Sequence, residues 1–522
     1  MSRKFGKVLM VNLNDRSSKV MEIEPEVLKQ FVGGAGLCAH LYSRLVKGDV
    51  APLDPASPLM IMTGPLTGTP VPLSGRHGVA GRSPLTGFWG VGKAGKPVYL
   101  SVAAGKLEFK DAAQVWGKDC FVTDTILKKE AGEKAQVCSI GPAGEKLVKF
   151  AGVFTDGSHA RAAARCGLGA LMGSKMLKAV VVQGSEEIPV QNLDSLREGL
   201  KELLPSLTGK MKGMSNFGTP GLVVPCESMG DLPIKNWSLG KWAEGAKKIG
   251  GQELNDKYLK KQFFCAACPV GCGRTVASVL DPAVTETGGP EYETLGMMGS
   301  NCLIDDMPSV MRLNELTNRL GLDTIEMGAV IAFVMELFDR GLIGSKELGG
   351  LDMKWGNAQA AEALIRMVAS REGFGDVLAE GLKFAADQIG GMAIEYAIQG
   401  NNMALPAHDP RAYASLALGY ATSNRGPCHT AGLTHPFERA MTFPELGLDK
   451  VLDRFQSAGK GEMVTKLQNV MNLWENLALC KFSVFGGVQV SHMVRWLKDV
   501  AGWDFSIQDL VRGRHRRASA GL

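Results

Sequence analysis

Three cysteines within eight residues place the strongest constraint on how this chain folds. Cys265, Cys268 and Cys272 occur in the segment C-A-A-C-P-V-G-C-G-R, so three thiolates share one short loop. Cysteine thiolates hold iron–sulfur clusters in sets of four. The spacing therefore predicts an inorganic centre in this loop, and it requires the fold to bring a fourth ligand to the loop from elsewhere in the chain.

The fourth ligand has three candidates, Cys302, Cys428 and Cys480. A structural zinc site is the alternative to an iron–sulfur cluster, and it normally has two paired half-sites of cysteine or histidine. Here the first group is a triplet, and the sequence has no second C-x2-C. Gly271 and Gly273 suit a loop that folds tightly around a cluster. The ligand pattern favours iron–sulfur and leaves zinc, or no metal, as the alternative.

Two short strings in the second half of the chain share one layout. Residues 318–323 read N-R-L-G-L-D and residues 475–480 read E-N-L-A-L-C. Each has a polar residue, two variable positions, a small residue, a leucine and a residue of a type that binds ligands. The matched pair indicates two equivalent binding corners around one pseudo-symmetric ligand. The alternative is that both strings are ends of amphipathic helices.

Composition excludes several classes of function. The 522 residues are 45% hydrophobic and 21% charged, as in globular proteins with sizeable cores. A net charge of +5 is too small to predict nucleic-acid binding, and we interpret the basic segment 512–517 as a solvated tail. No signal-peptide pattern or membrane-length apolar run occurs. Eleven cysteines, an odd number, argue against disulfides, so we expect a cytoplasmic protein with metal or redox chemistry.

Strand and turn patterns dominate the chain up to about residue 190, and helical patterns follow. We predict strands at 7–12, 16–22, 59–63, 98–102, 135–140 and 179–183. We predict helices at 194–204 (capped by Asp194), 307–342 (interrupted at Gly321), 359–370, 375–390, 449–458 and 462–479. The fold class is therefore α+β, with a β-rich N-terminal domain at 1–190 and two mainly α-helical domains at 191–400 and 401–522.

Longer motifs carry a family resemblance that covers nearly the whole chain. The sequence resembles the aldehyde:ferredoxin oxidoreductase family in the cysteine loop and in eleven further stretches. These are F-V-G-G-A-G-L (31–37), T-G-P-L-T-G-T (63–69), S-G-R (74–76), S-P-L-T-G (83–87), W-G-K-D (116–119), I-G-P-A-G-E (140–145), G-L-G-A-L-M-G-S-K (167–175), G-P-E-Y-E-T (289–294), L-G-L-D-T (320–324), H-D-P-R (408–411) and Y-A-T-S-N-R-G-x-C-H (420–429).

The resemblance implies two cofactors, a [4Fe–4S] cluster and a tungsten or molybdenum bis-pyranopterin. It selects Cys480 as the fourth cluster ligand beside the triplet. It makes the N-terminal domain the base under the pterins and the two strings their binding corners. Pterin phosphates are anionic, so arginine side chains and glycine-rich backbone suit them. The implied pterin-binding residues are Arg76, Arg165, Gly167, Asn318, Leu322, Asp323, Glu475 and Leu479.

The resemblance also implies the oxidation of an aldehyde to a carboxylic acid in an anaerobic setting. A glutamate, Glu293 or Glu291, and His429 match the family's proton-handling positions, and such a pair suits acid–base catalysis. Electrons would pass to ferredoxin or to an iron–sulfur partner subunit, from a homodimer or a subunit of a complex. Two alternatives remain open: the catalytic subunit of a complex that reduces aromatic-ring thioesters, and a pterin-free iron–sulfur scaffold.

The chain departs from the family pattern in three places. Asn318 and Glu475 replace the usual aspartates, and Ala478 replaces a glycine, which alters local charge and backbone freedom. After Gly90 the family runs through an Asn-Gly-Gly loop and a further strand, whereas here the chain passes almost directly to Lys96. The missing segment usually helps to hold a magnesium ion between the pterins. Magnesium binding is therefore left open by the sequence, and so is the usual mode of pterin binding.

Overall fold

The N-terminal part of the protein contains ten of the fifteen strands in the described residues, in agreement with the predicted β-rich domain. The computed structural model describes residues 5–46, 48–86, 96–282 and 284–512. The predictions for the Gly90–Lys96 connection and for the basic tail lie largely outside these residues. The strands are β1 (Lys7–Asn12), β2 (Ser17–Glu22), β3 (Met60–Thr63), β4 (His77–Ala80), β5 (Val98–Ala103), β6 (Lys106–Asp111), β7 (Gln136–Ser139), β8 (Val153–Thr155), β9 (Arg161–Ala163) and β10 (Leu177–Gln183). All six predicted strands are confirmed, with bounds that differ by at most two residues.

A mixed six-stranded sheet forms the centre of this part, in the order β6-β5-β10-β7-β8-β9. β5 and β10 run parallel and the other neighbours are antiparallel. Because side chains alternate along a strand, Leu100 packs in one apolar cluster and Tyr99 in the cluster on the opposite face. Two separate hairpins, β1-β2 and β3-β4, accompany the sheet. Its helices are α1 (Pro25–Phe31), α2 (Gly34–Leu45), α3 (Cys120–Ala131), α4 (Pro142–Glu145) and α5 (Leu168–Ser174).

Helices make up most of the remainder. They are α6 (Leu193–Lys210), α7 (Lys212–Phe217), α8 (Val223–Ser228), α9 (Ala243–Lys248), α10 (Gly251–Lys257), α11 (Tyr292–Thr294), α12 (Met307–Leu320), α13 (Thr324–Asp339), α14 (Ala358–Ser370), α15 (Phe374–Leu378), α16 (Leu382–Ile389), α17 (Ala393–Tyr396), α18 (Ala414–Thr422), α19 (His429–Gly432), α20 (Lys460–Asn476), α21 (Val490–Ala501) and α22 (Ile507–Arg512). Small sheets interrupt them: β11 (Lys261–Phe263), β12 (Gly273–Val276) and β13 (Thr287–Gly288) form one, and β14 (Gln399–Gly400) and β15 (Met403–Ala404) form another. The α+β class is thus confirmed.

Three helix predictions need correction. The cap of α6 is Asn192, whose side chain accepts a hydrogen bond from the Ser195 amide, and Asp194 lies inside the helix. The helix predicted at 375–390 is two short helices, α15 and α16, separated at Gly381. The helix predicted at 449–458 is wrong, because the segment is irregular. There the Arg454 carbonyl accepts from the Ala414 amide, so tertiary bonds replace helical ones.

Two large apolar cores hold the helices. The first surrounds α13, which is buried on every side and lies against α12 and α14. The second joins α20 and α21 to α6, through residues such as Leu200, Leu207, Trp474 and Trp496. The helix that opens the predicted middle domain therefore packs on the C-terminal helices. No helix within the described ranges combines the length and the apolar character needed to cross a membrane.

Candidate active site

Four thiols meet around one small cavity. Three belong to the loop between β11 and β12, and the fourth follows α20. Leu73 joins the two segments, because its amide donates to the Ala267 carbonyl at 2.7 Å and its carbonyl accepts from the Cys480 amide at 3.0 Å. The fold therefore fixes the fourth thiol on the loop through backbone hydrogen bonds. The four residues are Cys265, Cys268, Cys272 and Cys480.

The charge around this cavity suits a thiolate centre. Burial raises the pKa of Cys268, and it raises the pKa of Cys272 to about 12, so burial favours the neutral form of these two thiols. Arg76 lines the same cavity, and the proximity of Cys480 raises its pKa further. A cation at this position favours the deprotonated form that a metal requires.

The other two candidate ligands lie elsewhere. Cys302 is fully buried, and its Sγ lies 3.3 Å from the Met297 carbonyl. The Cys428 Sγ accepts from Arg425 at 2.8 Å. Neither residue lines the cavity of the four thiols. Within the described residues, Cys480 is the candidate that the fold brings to the loop.

The two matched strings adopt the same backbone turn. Gly321 and Ala478, at the same place in each string, both take the left-handed conformation, with φ of 82° and 52°. In both turns the following leucine amide donates to a carbonyl five residues earlier, at 3.0 Å in the first string and 2.9 Å in the second. This is a helix C-terminal turn of the Schellman type. The predicted likeness of the strings is therefore a likeness of backbone geometry.

We expect Ala478 to be strained, because the left-handed region costs a residue with a Cβ about 1–2 kcal/mol. Ala478→Gly should release that strain. Ala417→Gly is the matched control, since Ala417 lies on the exposed face of α18, where glycine weakens a helix. In chemical denaturation the free energy of unfolding of the two variants should differ by about 1–2 kcal/mol in favour of Ala478→Gly. An equal loss of unfolding free energy in the two variants would show that Ala478 carries no strain.

The first string ends at a buried ion pair. Asp323 caps α13 through the Ile325 amide at 3.0 Å, and its Oδ2 lies 3.3 Å from Arg165 Nε. Arg165 also donates to the Ala404 carbonyl at 2.7 Å. Gly167 lies so close to the Lys149 carbonyl that a Cβ would be 1.8 Å from its oxygen. Only glycine allows the chain to pass here, and this passage sets the position of Arg165 two residues earlier.

The second string lies beside further cations. Lys481 bridges Glu475 Oε1 at 2.7 Å and the Thr430 carbonyl at 2.6 Å. Although burial opposes ionisation, Lys481 and Arg425 lower the pKa of Glu475. Arg425 and Lys481 likewise outweigh burial and lower the pKa of Cys428. This corner therefore holds two cations, which favour the anionic forms of Glu475 and Cys428.

A glutamate and a histidine face one another between these corners. Glu293 Oε1 lies 3.3 Å from His429 Nδ1, and neither atom has a hydrogen-bond partner within the described residues. Glu293 Oε2 accepts from the Ala407 amide at 2.8 Å, which fixes the carboxyl group. Both side chains are largely buried. The free atoms of an acid–base pair therefore point into a shielded space.

Behind this pair lies a second histidine that carries its own carboxylate. His408 Nδ1 lies 2.9 Å from Asp231 Oδ2, and its Nε2 lies 3.9 Å from Glu293 Oε1. Although burial favours the neutral ring, Asp231 raises the pKa of His408 well above its usual range. Burial raises the pKa of Glu293, whereas burial and the charge of His408 lower that of His429. At neutral pH His408 is the charged histidine and His429 the neutral one.

Comparison with known proteins assigns this arrangement to a family. The N-terminal domain of aldehyde ferredoxin oxidoreductase matches residues 8–95 and 91–184, and domains 2 and 3 of that enzyme match residues 196–517. The chain belongs to the aldehyde ferredoxin oxidoreductase family. It is therefore a member of an oxidoreductase family, as the sequence motifs predicted.

Relatives of known name support the assignment. The chain is 37% identical to the tungsten-containing aldehyde ferredoxin oxidoreductase of Pyrococcus furiosus, across 97% of this chain and 86% of that one. It is 30% identical to the WOR-like subunit of an aliphatic sulfonate oxidoreductase of the same organism, across 83% and 76%. The fold is similar to the active-site complex BamBC of benzoyl coenzyme A reductase, with a TM-score of 0.83 and 22% identity across 98% and 88%.

The two candidate glutamates have different surroundings in this family member. Glu291 pairs with Arg161 at 2.6 Å and accepts from Thr219, so it is bound on the side of the cysteine cavity. Glu293 is the glutamate that faces His429. The sequence analysis did not identify Asp231, Arg425 or Lys481. Arg425 lies inside the recognised motif 420–429 and Lys481 follows Cys480, so both could have been identified from the sequence. Asp231 lies in no recognised motif.

Proposed function

We propose that this protein oxidises an aldehyde to a carboxylic acid with a tungsten or molybdenum bis-pyranopterin, and passes electrons through a [4Fe–4S] cluster to ferredoxin. The observation that carries the proposal is the position of segment 475–481. One end of it supplies Cys480 to the cysteine cavity, and Lys481 reaches the Thr430 carbonyl next to His429. A single turn thus connects a four-thiol site to an acid–base pair.

The residues fit an iron–sulfur cluster. Four cysteines around one cavity are the ligand number of a [4Fe–4S] cluster, and all four are free of disulfides. Four cysteines can also hold a zinc ion. Electron transfer to ferredoxin needs a redox-active centre, which zinc is not, so the family's chemistry favours iron–sulfur.

The residues also fit an anionic pterin cofactor. Arg165, Arg425 and Lys481 lie where the two strings end. Arg425 Nε is buried without a hydrogen-bond partner within the described residues, and Arg165 Nε has only its ion pair with Asp323. A buried donor without a partner favours an acceptor, and phosphate oxygens suit arginine geometry. Arg165 would serve the corner of Asn318, Leu322 and Asp323, and Arg425 with Lys481 the corner of Glu475 and Leu479. Arg76 lines the cysteine cavity and would be available to an anionic group there.

The bound metal cofactor would supply two-electron redox chemistry and oxygen transfer. The chain's own residues would accept and transfer the protons from substrate or water. Glu293 Oε1 is free to take a proton from substrate or water, and the Ala407 amide holds its other oxygen in place. The neutral His429 can accept or share that proton across 3.3 Å. The charged His408 stabilises the Glu293 carboxylate after the proton leaves.

Metal and pterin analysis of the protein purified without oxygen tests the proposal. We expect about one tungsten or molybdenum and about four irons per chain, together with a pterin that is released on denaturation. Oxidation of simple aldehydes with ferredoxin or a viologen dye is the accompanying assay. Iron without tungsten, molybdenum or pterin would contradict the enzyme and favour an iron–sulfur scaffold. Zinc in place of iron would contradict the cluster.

The Asp231–His408 pair predicts how activity depends on pH. Asp231→Asn should leave His408 neutral, and the pKa of Glu293 should then rise, because the charge of His408 lowers it. If Glu293 acts as the base, the acid limb of the kcat/KM profile moves to higher pH. Asp376→Asn, a change in an exposed partner of Arg371, is the control and should leave the profile unchanged. An unmoved acid limb in Asp231→Asn, with iron content intact, would contradict the role of His408.

A further inference from the structure

An apolar cleft of about 700 Å³ lies between β1 and β3, and it shares no lining residue with the cysteine cavity. Its walls include every residue of 8–14 and of 58–62, together with Ser17, Ser18, Lys19 and Met21 of β2. A strand that turned one face to a cleft would contribute alternate residues only. Val11 and Leu59 pack on the six-stranded sheet, whereas Val8 and Met60 pack on α1 and α2, so β1 and β3 lie in one layer between them. We call the space that both strands line the β1–β3 cleft.

Both of these edges lack a partner strand within the described residues. β1 pairs with β2 alone and β3 pairs with β4 alone. In an antiparallel pair, half of the backbone N–H and C=O groups of each strand point away from the partner. No hydrogen bond between the backbone of β1 or β3 and any third segment is formed within the described residues. β1 and β3, which both line the cleft, therefore each carry free donors and acceptors along one edge.

Apolar layers close the β1–β3 cleft above and below. Val8 and Met60, one from each hairpin, pack on the same cluster of α1 and α2. Leu100, Val102 and Leu107 of the six-stranded sheet line the opposite side. Leu9 and Ile61 are 41% and 37% exposed, and both line the cleft. Exposed apolar residues on free strand edges are a combination that soluble proteins normally cover.

One buried cation completes the β1–β3 cleft. Lys175 lines it and is 1% exposed, yet its Nζ has no hydrogen-bond partner within the described residues. Asp54 favours the charged form of Lys175 from a distance, without a hydrogen bond to Nζ within those residues. Burial lowers the pKa of Lys175 to about 7, which agrees with an amine that lacks a nearby anion. A carboxylate delivered to this point would pair with the amine.

We propose that the β1–β3 cleft binds an extended segment of a partner polypeptide, which is added as a β-strand between β1 and β3. The segment is four to six residues long, to match the four residues of β3 and the six of β1. Its side chains are apolar on both faces, because both layers are apolar, and one carboxylate reaches Lys175. Strand addition to a free edge is an established mode of peptide recognition. A small amphipathic carboxylate would use Lys175 but would leave both edges unpaired.

A synthetic ten-residue peptide tests the proposal on the full chain. The probe carries fluorescein, lysines at both ends, and a central run of five valines and isoleucines followed by one glutamate. We expect saturable binding by fluorescence anisotropy. Hydrogen exchange should slow in β1 and β3 but not in β11, which is an edge strand elsewhere. A peptide with alternate backbone amides N-methylated has the same side chains but cannot pair, and it should not bind.

A second peptide tests the proposed ion pair between the peptide glutamate and Lys175. A peptide with glutamine for glutamate should bind roughly tenfold more weakly, as expected for loss of a charge-assisted hydrogen bond. Lys175→Met should remove the difference between the two peptides. Lys106→Met, at an exposed lysine of β6, should preserve it. If Lys175→Met fails to fold, the difference in affinity between the glutamate and glutamine peptides on the unaltered chain still tests the ion pair.

Four results would overturn the proposal. The first is no binding of the peptide, and the second is equal binding of the N-methylated peptide. The third is displacement of the peptide by decanoate, with decanoate alone giving no protection of β1 and β3, which would assign a small carboxylate to the cleft. The fourth is full protection of β1 and β3 before peptide is added, which would mean that this chain or a second copy already fills the cleft.

Discussion

Cys480→Ser should lose most of its iron. A [4Fe–4S] cluster needs four thiolates, and the serine oxygen replaces the one ligand that comes from outside the loop. Iron analysis and the low-temperature EPR signal of the reduced protein are the measurements. Cys302→Ser is the matched control, because Cys302 is buried in an apolar core away from the cavity. Cys302→Ser should keep its iron even if its free energy of unfolding falls.

Full retention of iron and of the EPR signal in Cys480→Ser would contradict the fourth-ligand assignment. Cys428→Ser is then the informative variant, since Cys428 is the candidate that remains if Cys302→Ser keeps its iron. The structure gives it a different set of neighbours, with Arg425 and Thr430 around its sulfur. We expect Cys428→Ser to retain iron and to disturb the corner of the second string.

Glu293→Gln should lower kcat by about 10²–10⁴, the range that general acid–base groups contribute. The amide keeps the shape and can still accept from the Ala407 amide, but it cannot take a proton at Oε1. Aldehyde oxidation with a viologen acceptor is the assay, with metal content measured on the same sample. Unchanged metal content and reduced kcat would locate the defect in the proton step.

Glu291→Gln separates the two glutamates of the G-P-E-Y-E-T motif. Glu291 is held by Arg161 and Thr219 beside the cysteine cavity, so its replacement should leave kcat within a fewfold. A loss in Glu291→Gln as large as the loss in Glu293→Gln would reverse the assignment. Only one residue, Tyr292, separates the two glutamates in the sequence, so the two variants can be compared directly.

Local patterns predicted most of the elements, and tertiary contacts decided the rest. β1 and the break between α12 and α13 at Gly321 were predictable, because alternation and a left-handed glycine are local properties. The helix predicted at 449–458 failed because the Arg454 side chain and carbonyl bond to distant segments. The spacing of the cysteine triplet was enough to predict a site. Its partner Cys480 came from family resemblance, since no spacing rule selects it from three candidates.

The acid–base region shows a similar division. Glu293 and His429 lie in long motifs, so their segments were recognisable in the sequence. Asp231 lies in an irregular segment after α8, and only the fold brings it to His408. A buried carboxylate that charges a neighbouring histidine has no sequence signature. The free edges of β1 and β3 were equally invisible, because pairing depends on which strands meet.

The turn that ends at Cys480 fixes a distance. The Leu479 amide bonds to Trp474 and the Cys480 amide bonds to Leu73, so the short segment between the proposed pterin corner and the cysteine cavity is bonded at both ends. Substrate binding cannot lengthen this segment without breaking those bonds. The residues that would hold the two proposed centres on this segment are therefore kept in a fixed relation to one another, whether or not substrate is bound.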